Sequence, residues 1–261
     1  MQRLTLLISF LIALSPLNAQ QYHHSDASLP CLDKQFTVVA HIFRDTFGFL
    51  VADTNDIKLA FEQLNEYFSP ICASFQVCEF RYHNNFQYTH LNGPSGDAWK
   101  EMQIKYHADN RINVYFVTSA GPPFNGGFAT QGGIDSMTAG GVVVAALGRL
   151  PHFMGHFFGL LDTWKDHNEL VDGSNCATAG DQICDTPADP FDFADPNAPL
   201  YDYYVSDCIY YGQKKDANGQ YYAPDVGNIM ALYAIYCYCG FTAEQYRKMA
   251  ETYLNSSPKM W

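Results

Sequence analysis

The sequence has few basic residues. Its 15 Lys and Arg stand against 27 Asp and Glu, which gives a formal net charge of −12 at pH 7. Proteins that bind nucleic acid use clustered Lys and Arg against the phosphates, so this composition argues against a nucleic-acid partner. The acidic balance is instead typical of an extracellular protein and is compatible with calcium binding.

The N-terminal apolar run, residues 4–14, is too short to span a bilayer. It follows Arg3 and precedes the small residue Ala19, so we predict that residues 1–19 form a secretory signal peptide. We therefore expect a secreted protein, extracellular or periplasmic, with no membrane partner. Residues 20–35 are predicted to be an N-terminal lead-in.

The sequence contains no C-x-x-C pair, although it has eight cysteines. Only Cys237 and Cys239 lie close together, so thiolate zinc ligands are disfavoured. In an exported chain the cysteines are interpreted first as disulfides.

The apolar patterns that follow predict strands separated by helices. Strand composition falls at 36–44, 73–82 and 111–118, a helical stripe covers 56–67, and a second helix ends at Tyr106 with Ser95 and Asp97 as candidate N-caps. Residues 142–147 are either a strand or the start of a helix. In the second strand the alternation changes face near Cys78, which predicts a bulge or a strand end. This order indicates a mixed α/β upper lobe in a protein of the α+β class.

Two histidines four residues apart precede a glycine and an aspartate. On a helix, His152 and His156 lie on one face and can present two imidazoles to one ion. Gly159 can end that helix with positive φ, so that the chain returns with Asp162 as a third ligand. Imidazole and carboxylate are common zinc ligands, so the sequence predicts one zinc ion on these three side chains.

Pro151 comes directly before the first of these histidines. Proline is tolerated in the first turn of a helix but disrupts its interior. A helix that begins near Leu150 is therefore expected to be regular, whereas an earlier start would place a kink beside His152.

The string H-x-x-x-H-x-x-G-x-x-D, with Leu150 before it and Thr163-Trp164 after it, resembles the metal-binding string of the pappalysin family of metzincin zinc peptidases. The resemblance implies a metzincin-like fold: a twisted mixed sheet with a backing helix and an active-site helix, above a loop-rich, disulfide-stapled lower lobe with a Met-turn and a C-terminal helix. It implies a single domain over 36–261, with lobes at about 36–159 and 160–261, and a peptide or protein as substrate or ligand.

Three positions depart from the family pattern. The residue after the first His is Glu in the family, where it acts as the general base toward the attacking water, but it is Phe153 here. The third ligand is His in pappalysins and Asp162 here, a change that zinc tolerates. The family Tyr that assists at the zinc, two residues after the Met-turn methionine, corresponds to Leu232.

Later segments extend the resemblance. The string G-D-x-x-x-D-T-P begins at Gly180, and N-I-M contains Met230 as the Met-turn methionine. The string F-T-x-x-Q opens a C-terminal helix, for which Thr242 and Gln245 predict a capping box.

Carboxylates are dense after the zinc string, and pappalysin relatives bind calcium near this segment. Asp181, Asp185 and Asp189 are the candidate calcium ligands, because calcium prefers oxygen donors. Their spacing matches no EF-hand loop, so solvated turn aspartates are the alternative interpretation.

The resemblance carries two further expectations. An edge strand at 127–130 is expected to receive the substrate backbone by β-augmentation. Cys176 is expected to pair with Cys208, and Cys184 with Cys237, whereas the partners of the other four cysteines are undetermined.

Three functions remain open at this point. The first is a pseudopeptidase that keeps a metal site and a peptide-binding cleft but has lost the general base. The second is an active zinc endopeptidase in which another carboxylate, Asp166 or Glu169, replaces the missing Glu. The third is a metal-free structural or binding module.

Overall fold

The computed structural model describes residues 28–122, 126–135, 140–192 and 205–257. The predicted signal peptide and residues 20–27 of the predicted lead-in lie outside these ranges. No helix in the described part of the chain has the length and apolar character needed to cross a bilayer.

The described chain contains seven strands and four α-helices. In chain order they are β1 Lys34–Phe43, α1 Thr54–Phe68, β2 Ala73–His83, α2 Asp97–Tyr106, β3 Ile112–Phe116, β4 Gly127–Ala129, β5 Val142–Val144, α3 Leu150–Phe157, β6 Val205–Ser206, β7 Ile209–Tyr210 and α4 Ala243–Asn255. Most of the described residues between α3 and α4 lie outside helices and strands, which agrees with the predicted loop-rich lower part.

The main sheet has five strands in the order β2–β1–β3–β5–β4. The first four are parallel to one another, and β4 pairs antiparallel with β5 at the edge. Every residue of β3 is buried, as expected for a central strand covered on both faces. This mixed sheet with packed helices confirms the predicted α+β class.

The two faces of β1 separate two apolar cores. Phe36, Val38, Ala40 and Ile42 face one core, which also contains buried residues of α1, α3 and α4. Phe43 faces the other core, which contains Trp99 and Met102 of α2. Helix α3 is therefore held between the sheet and the lower part of the chain.

The face change near Cys78 is a β-bulge, as predicted. Val38 pairs with Val77, but the next residue, Val39, pairs with Glu79, so Cys78 has no partner in β1. Its thiol donates instead to the Val38 carbonyl, at 3.2 Å.

The N-cap predictions had mixed outcomes. Helix α1 begins at Thr54, two residues before the predicted stripe at 56–67, and its N-cap Asp53 accepts a hydrogen bond from the Asn55 backbone N–H. At α2 the N-cap is Gly96, with no side-chain hydrogen bond, so the predicted capping by Ser95 or Asp97 is wrong. The capping box of α4 is confirmed, because the Thr242 hydroxyl accepts from Gln245 N–H and the Gln245 side chain accepts from Thr242 N–H.

The disulfide pairs differ from those that the resemblance implied. All four cysteines are bonded, but Cys176 pairs with Cys184 and Cys208 pairs with Cys237, with Cα–Cα distances of 5.0 and 5.4 Å. The expected pairs, Cys176 with Cys208 and Cys184 with Cys237, are therefore wrong.

Local structure explains the correction. A series of backbone-bonded turns over 173–182 folds Cys176 and Cys184 together, and the β6–β7 hairpin carries Cys208 to the segment of Cys237. A third disulfide, Cys31–Cys72, fixes the lead-in. Cys78 and Cys239 are free thiols.

Candidate metal centre

Helix α3 begins at Leu150, directly after a short 3₁₀ turn, so Pro151 lies in its first turn. The sequence predicted a regular helix for a start at this position, because proline is tolerated in the first turn. His152 and His156 consequently occupy successive turns of an uninterrupted helix. Gly159 follows with φ +94°, ends the helix and returns the chain toward it.

The three predicted ligands converge on one point. His152 Nε2 lies 3.2 Å from His156 Nε2, and Asp162 Oδ1 lies 3.4 and 3.3 Å from these two nitrogens, respectively. In the described ranges, no other three His, Cys, Asp or Glu side chains form a group that could hold a metal ion.

The backbone fixes the orientation of both imidazoles. His152 Nδ1 is 2.8 Å from the Ile229 carbonyl oxygen, and His156 Nδ1 is 2.8 Å from the Leu160 carbonyl oxygen. A carbonyl only accepts, so each Nδ1 must donate, and each Nε2 of a neutral ring then presents a lone pair. Histidines that bind metals are typically oriented in this way.

The three converging atoms are all suited to a cation. Two imidazole lone pairs face each other, and Asp162 Oδ1 is buried without a hydrogen-bond partner. A proton on His156 satisfies part of this demand, because the Asp162 carboxylate raises the His156 pKa although burial opposes the rise. Burial lowers the His152 pKa to about 3, so this ring remains a neutral donor. A divalent ion would satisfy all three atoms at once, and the donor set fits zinc.

Met230 lies under this centre. It is fully buried, and a Cβ atom built on Gly155, between the two histidines, would lie 2.5 Å from its sulfur. The Met230 N–H donates to Asn228 Oδ1, and its carbonyl accepts from Thr163 N–H, just after Asp162. Met230 thus links the floor of the centre to the loop that carries the third ligand.

The Phe153 side chain has no polar atom to offer at the metal centre. Its ring packs beneath the edge strand β4, where a Cβ atom on Gly127 would lie only 2.5 Å from Phe153 Cε2. Leu232 offers no hydroxyl, and its neighbour Tyr233 is directed elsewhere, because its hydroxyl donates to Asp189 Oδ1 at 2.9 Å.

The two carboxylates considered as substitute bases lie elsewhere. Asp166 is paired with Lys165 at 2.8 Å on the surface. Glu169 is buried, and burial together with Asp181 and Asp189 raises its pKa to about 8. Neither joins the three-residue group.

The predicted calcium ligands do not form one group. Asp185 accepts hydrogen bonds from Thr242 Oγ1 and Glu244 N–H at the start of α4, and Asp189 accepts from Thr163 and Tyr233. Asp181 accepts from Ile183 N–H and Thr186 Oγ1. The three residues brace separate turns, so we correct the prediction that they hold one ion together.

Sequence reasoning missed that Glu169 is buried beside the Gly180-Asp181 turn. Its Oε2 is buried without a hydrogen-bond partner, and a Cβ atom on Gly180 would lie 1.9 Å from it. No motif marks this residue, because only the tertiary fold brings it beside the Gly180-Asp181 turn.

Comparison with known proteins supports the fold. The structure is similar to mature mirolysin of Tannerella forsythia in complex with a cleaved peptide, with a TM-score of 0.59, 16% sequence identity, and coverage of 87% of this chain and 93% of that chain. Metalloproteinase-II from Bacteroides fragilis gives a TM-score of 0.35 at 10% identity, covering 53% of this chain and 46% of that chain, which is too low to support an argument. No protein-family model and no curated protein sequence matches the chain. The likeness to mirolysin, together with the mixed sheet and the packed helices, shows that the chain has the predicted metzincin-like fold.

Proposed function

We propose that this chain is a secreted metallopeptidase homologue that binds one zinc ion and a peptide, and that cleaves the peptide poorly or not at all. The observation that carries the proposal is the convergence of His152, His156 and Asp162 on one point, one residue away from an apolar ring at position 153. The three disulfides support an oxidising, exported environment.

His152, His156 and Asp162 would hold the zinc, and the carbonyls of Ile229 and Leu160 keep the two rings in the ligand orientation. Zinc bound there would supply a Lewis acid for a peptide carbonyl. The buried Met230 beneath the centre keeps its floor apolar.

Phe153 removes the general base. General-base catalysis contributes roughly 10²- to 10⁴-fold in rate, which is about 3 to 5 kcal/mol of activation free energy. A phenyl ring has no atom that accepts a proton, Asp166 is paired with Lys165, and Glu169 lies outside the three-residue group. An active endopeptidase is therefore the weaker interpretation. A metal-free module is also weaker, because it does not explain why two imidazole nitrogens face each other.

A peptide is the ligand that the fold favours. Strand β4 lies at the end of the sheet order and pairs on one side with β5, so its other edge can accept an extended segment. The related fold of mirolysin has been captured with a cleaved peptide. We therefore place peptide binding along β4, next to the metal centre.

The test compares three forms of the zinc-loaded chain in a peptide-library cleavage assay: the unmodified chain, Phe153→Glu and Phe153→Gln. We expect no cleavage by the unmodified chain or the Gln variant. The Glu variant should gain chelator-sensitive cleavage, because Glu restores a proton acceptor. Gln has nearly the same shape but cannot act as that acceptor, so it is the matched control. Zinc content by elemental analysis accompanies each assay.

The outcomes separate the three functions. Chelator-sensitive cleavage by the unmodified chain would establish an active enzyme and refute the proposal. A folded chain that takes up no zinc would favour the metal-free module. Phe153→Leu is the control for misfolding of the Glu and Gln variants. It keeps the site apolar and should bind zinc as the unmodified chain does.

We also propose a calcium ion at the Glu169 and Asp181 carboxylates. Glu169 Oε2 is buried beside the Gly180-Asp181 turn without a hydrogen-bond partner, and burial together with the Asp181 and Asp189 charges raises the Glu169 pKa to about 8. Calcium at 100 times its Kd should stabilise the chain by about 2.7 kcal/mol. Thermal unfolding with calcium and with magnesium measures this effect, which Glu169→Gln should abolish and the surface variant Asp166→Asn should leave unchanged.

A further inference from the structure

Arg149 lies beside Phe153 under the edge strand. The two residues are four apart at the start of α3 and so share one side of the helix. A Cβ atom built on Gly126 would lie 3.5 Å from Arg149 Cγ and 3.6 Å from Phe153 Cζ. The Arg149 side chain therefore runs alongside the ring beneath the start of β4.

The guanidinium reaches the segment that follows Met230. One Nη donates to the Tyr238 hydroxyl, and the other donates to the Tyr233 carbonyl oxygen at 2.9 Å. The guanidinium carbon also lies 5.5 Å from the centroid of the Tyr238 ring, within the range of a cation–π contact. These contacts hold the positive charge at a fixed place between helix α3 and the loop.

This charge lies close to the metal centre. Arg149 is three residues before His152, about one helical turn. Burial raises the pKa of Tyr238 to about 12, and Arg149 opposes this rise. The Asp162 carboxylate adds to the rise, so Tyr238 lies close enough to the proposed third ligand to interact with its charge. The Arg149–Tyr238 pair and the three ligands thus border one region.

Arg149 has no carboxylate partner among the residues that the structure describes. No Asp or Glu in the described ranges forms an ion pair with it, although the chain carries 27 acidic residues. The nearest functional acid, Asp162, faces the two imidazoles instead. A half-buried guanidinium has five N–H donors, of which the two bonds above use two, and a carboxylate is the acceptor that fits the rest best. The Tyr238 hydroxyl accepts from Arg149, so its own proton is available to donate to the same carboxylate.

We propose that Arg149 and Tyr238 bind a carboxylate of the peptide, supplied by an Asp or Glu side chain next to the segment held on β4. The ligand of this chain is accordingly an acidic peptide. This inference rests on the proposed function, because it specifies which peptide the cleft selects. Arg149 acts here as a specificity-determining residue and takes no part in bond cleavage.

Fluorescence anisotropy on the zinc-loaded full chain tests the inference. The probes are labelled peptides that differ in one Glu or Gln, scanned along an otherwise neutral sequence, each with a free or an amidated C-terminus. We expect at least one Glu peptide to bind about tenfold more tightly than its Gln counterpart, which corresponds to about 1.4 kcal/mol. Arg149→Gln should remove this preference, and Arg149→Lys should keep part of it, because Lys retains the charge but loses the bidentate geometry.

Two further variants keep the test decisive. Tyr238→Phe removes only the hydroxyl and should reduce the Glu preference several-fold without changing zinc content. Arg81→Gln makes the same change of charge on β2, at the opposite edge of the sheet from β4, and should leave the preference intact.

Each outcome has one meaning. Peptides that bind with equal affinity for Glu and Gln would overturn the inference and leave the proposed peptide cleft standing. Failure of every peptide to bind would overturn both. A preference that depends only on the free C-terminus, and is lost in Arg149→Gln, would keep the carboxylate site but assign it to the peptide terminus. A preference that survives in Arg149→Gln and Tyr238→Phe would overturn the assignment of these residues.

Discussion

In the proposed function, Phe153 is the side chain that separates metal binding from catalysis. It follows the first ligand directly, yet its ring is only 7% exposed and packs with the core beneath β4. The same ring contributes to folding and blocks the place of a base. Phe153→Glu should therefore lose stability, by roughly 3 to 5 kcal/mol as for a core Phe→Ala change, even as it gains activity.

Asp162 is the proposed ligand whose role is most easily isolated by substitution. Asp162→Asn keeps the shape of the side chain but replaces the anionic oxygen with a neutral amide oxygen. We expect zinc affinity to fall by more than the roughly 10- to 100-fold loss typical of an outer-shell partner.

Competition against a zinc-sensitive dye measures the affinity of the Asp162→Asn variant. Asp166→Asn, four residues on and paired with Lys165, is the matched control and should bind zinc like the unmodified chain. Equal affinities for the two variants would show that Asp162 is not a ligand.

At the scale of single residues, the sequence predicts those site residues that are recognised by their spacing along the chain. His152, His156 and Asp162 lie where helix geometry and a glycine turn require them. Glu169 and Arg149 could not be found in the same way, because their importance depends on neighbours that are distant in sequence, the Gly180-Asp181 turn and Tyr238.

Strands β1 and β2 are joined by a buried histidine pair. His41 Nδ1 lies 3.0 Å from His83 Nε2, and His41 Nε2 lies 3.0 Å from Asn113 Oδ1. Burial is the main cause that lowers the pKa of each histidine to about 4. Both rings are therefore neutral in the folded protein down to a pH at which the unfolded chain is already protonated.

The sign of the resulting pH dependence follows directly. The unfolded histidines bind protons below about pH 6.5, whereas the folded ones do so only near pH 4. Stability is thus complete above pH 6.5 and is lost as the pH falls toward 4. For His41 alone the loss is of the order of 2 to 3 kcal/mol, at about 1.36 kcal/mol per pKa unit.

Urea unfolding at pH 7.5 and pH 4.5 measures this loss. His41→Gln should be less stable at pH 7.5 but should show a smaller decrease between the two pH values than the unmodified chain. His90→Gln, at an exposed position, should keep the original decrease. An unchanged decrease in His41→Gln would assign the pH dependence to other groups.

Elements with strong periodicity were predictable, and their ends were less so. The β1 and α1 patterns, the bulge at Cys78 and the α4 capping box were each visible as a local signal in the residues themselves. The α2 N-cap was not, because Gly96 takes that position without a side-chain bond and two better capping residues flank it.

The disulfides connect parts of the molecule that the sheet does not. Cys31–Cys72 closes a separation of 41 residues and ties the lead-in to the turn before β2, whereas Cys176–Cys184 closes a separation of 8. In the chain-entropy description the longer loop gives the larger stabilisation, about 4 against about 2.5 kcal/mol. Replacing Cys31 and Cys72 with Ser should thus cost more stability than replacing Cys176 and Cys184.

Guanidinium unfolding of the two double variants measures the difference, and peptide mapping of the unreduced chain checks the pairs. Recovery of Cys176–Cys208 and Cys184–Cys237 peptides would restore the pairs implied by the family resemblance and contradict the arrangement described above. Such pairs cannot be read from sequence, because several connectivities satisfy the same spacing.

At the scale of the whole molecule, the resemblance predicted the architecture well. A short string on α3, with the Met230 turn and the α4 start, indicated a metzincin-like fold, and the likeness to mirolysin agrees with it. The proposed function depends instead on side chains that differ from the pappalysin pattern, Phe153 and Asp162 above all.

The most direct test of this account is the cleavage of a mixed peptide library by the zinc-loaded, unmodified chain over long incubation, followed by mass spectrometry. His156→Ala, which removes a ligand, serves as the background. We predict the same product yield from both proteins. Cleavage that exceeds the His156→Ala background and disappears with a zinc chelator would contradict the claim that the centre binds metal without a working base.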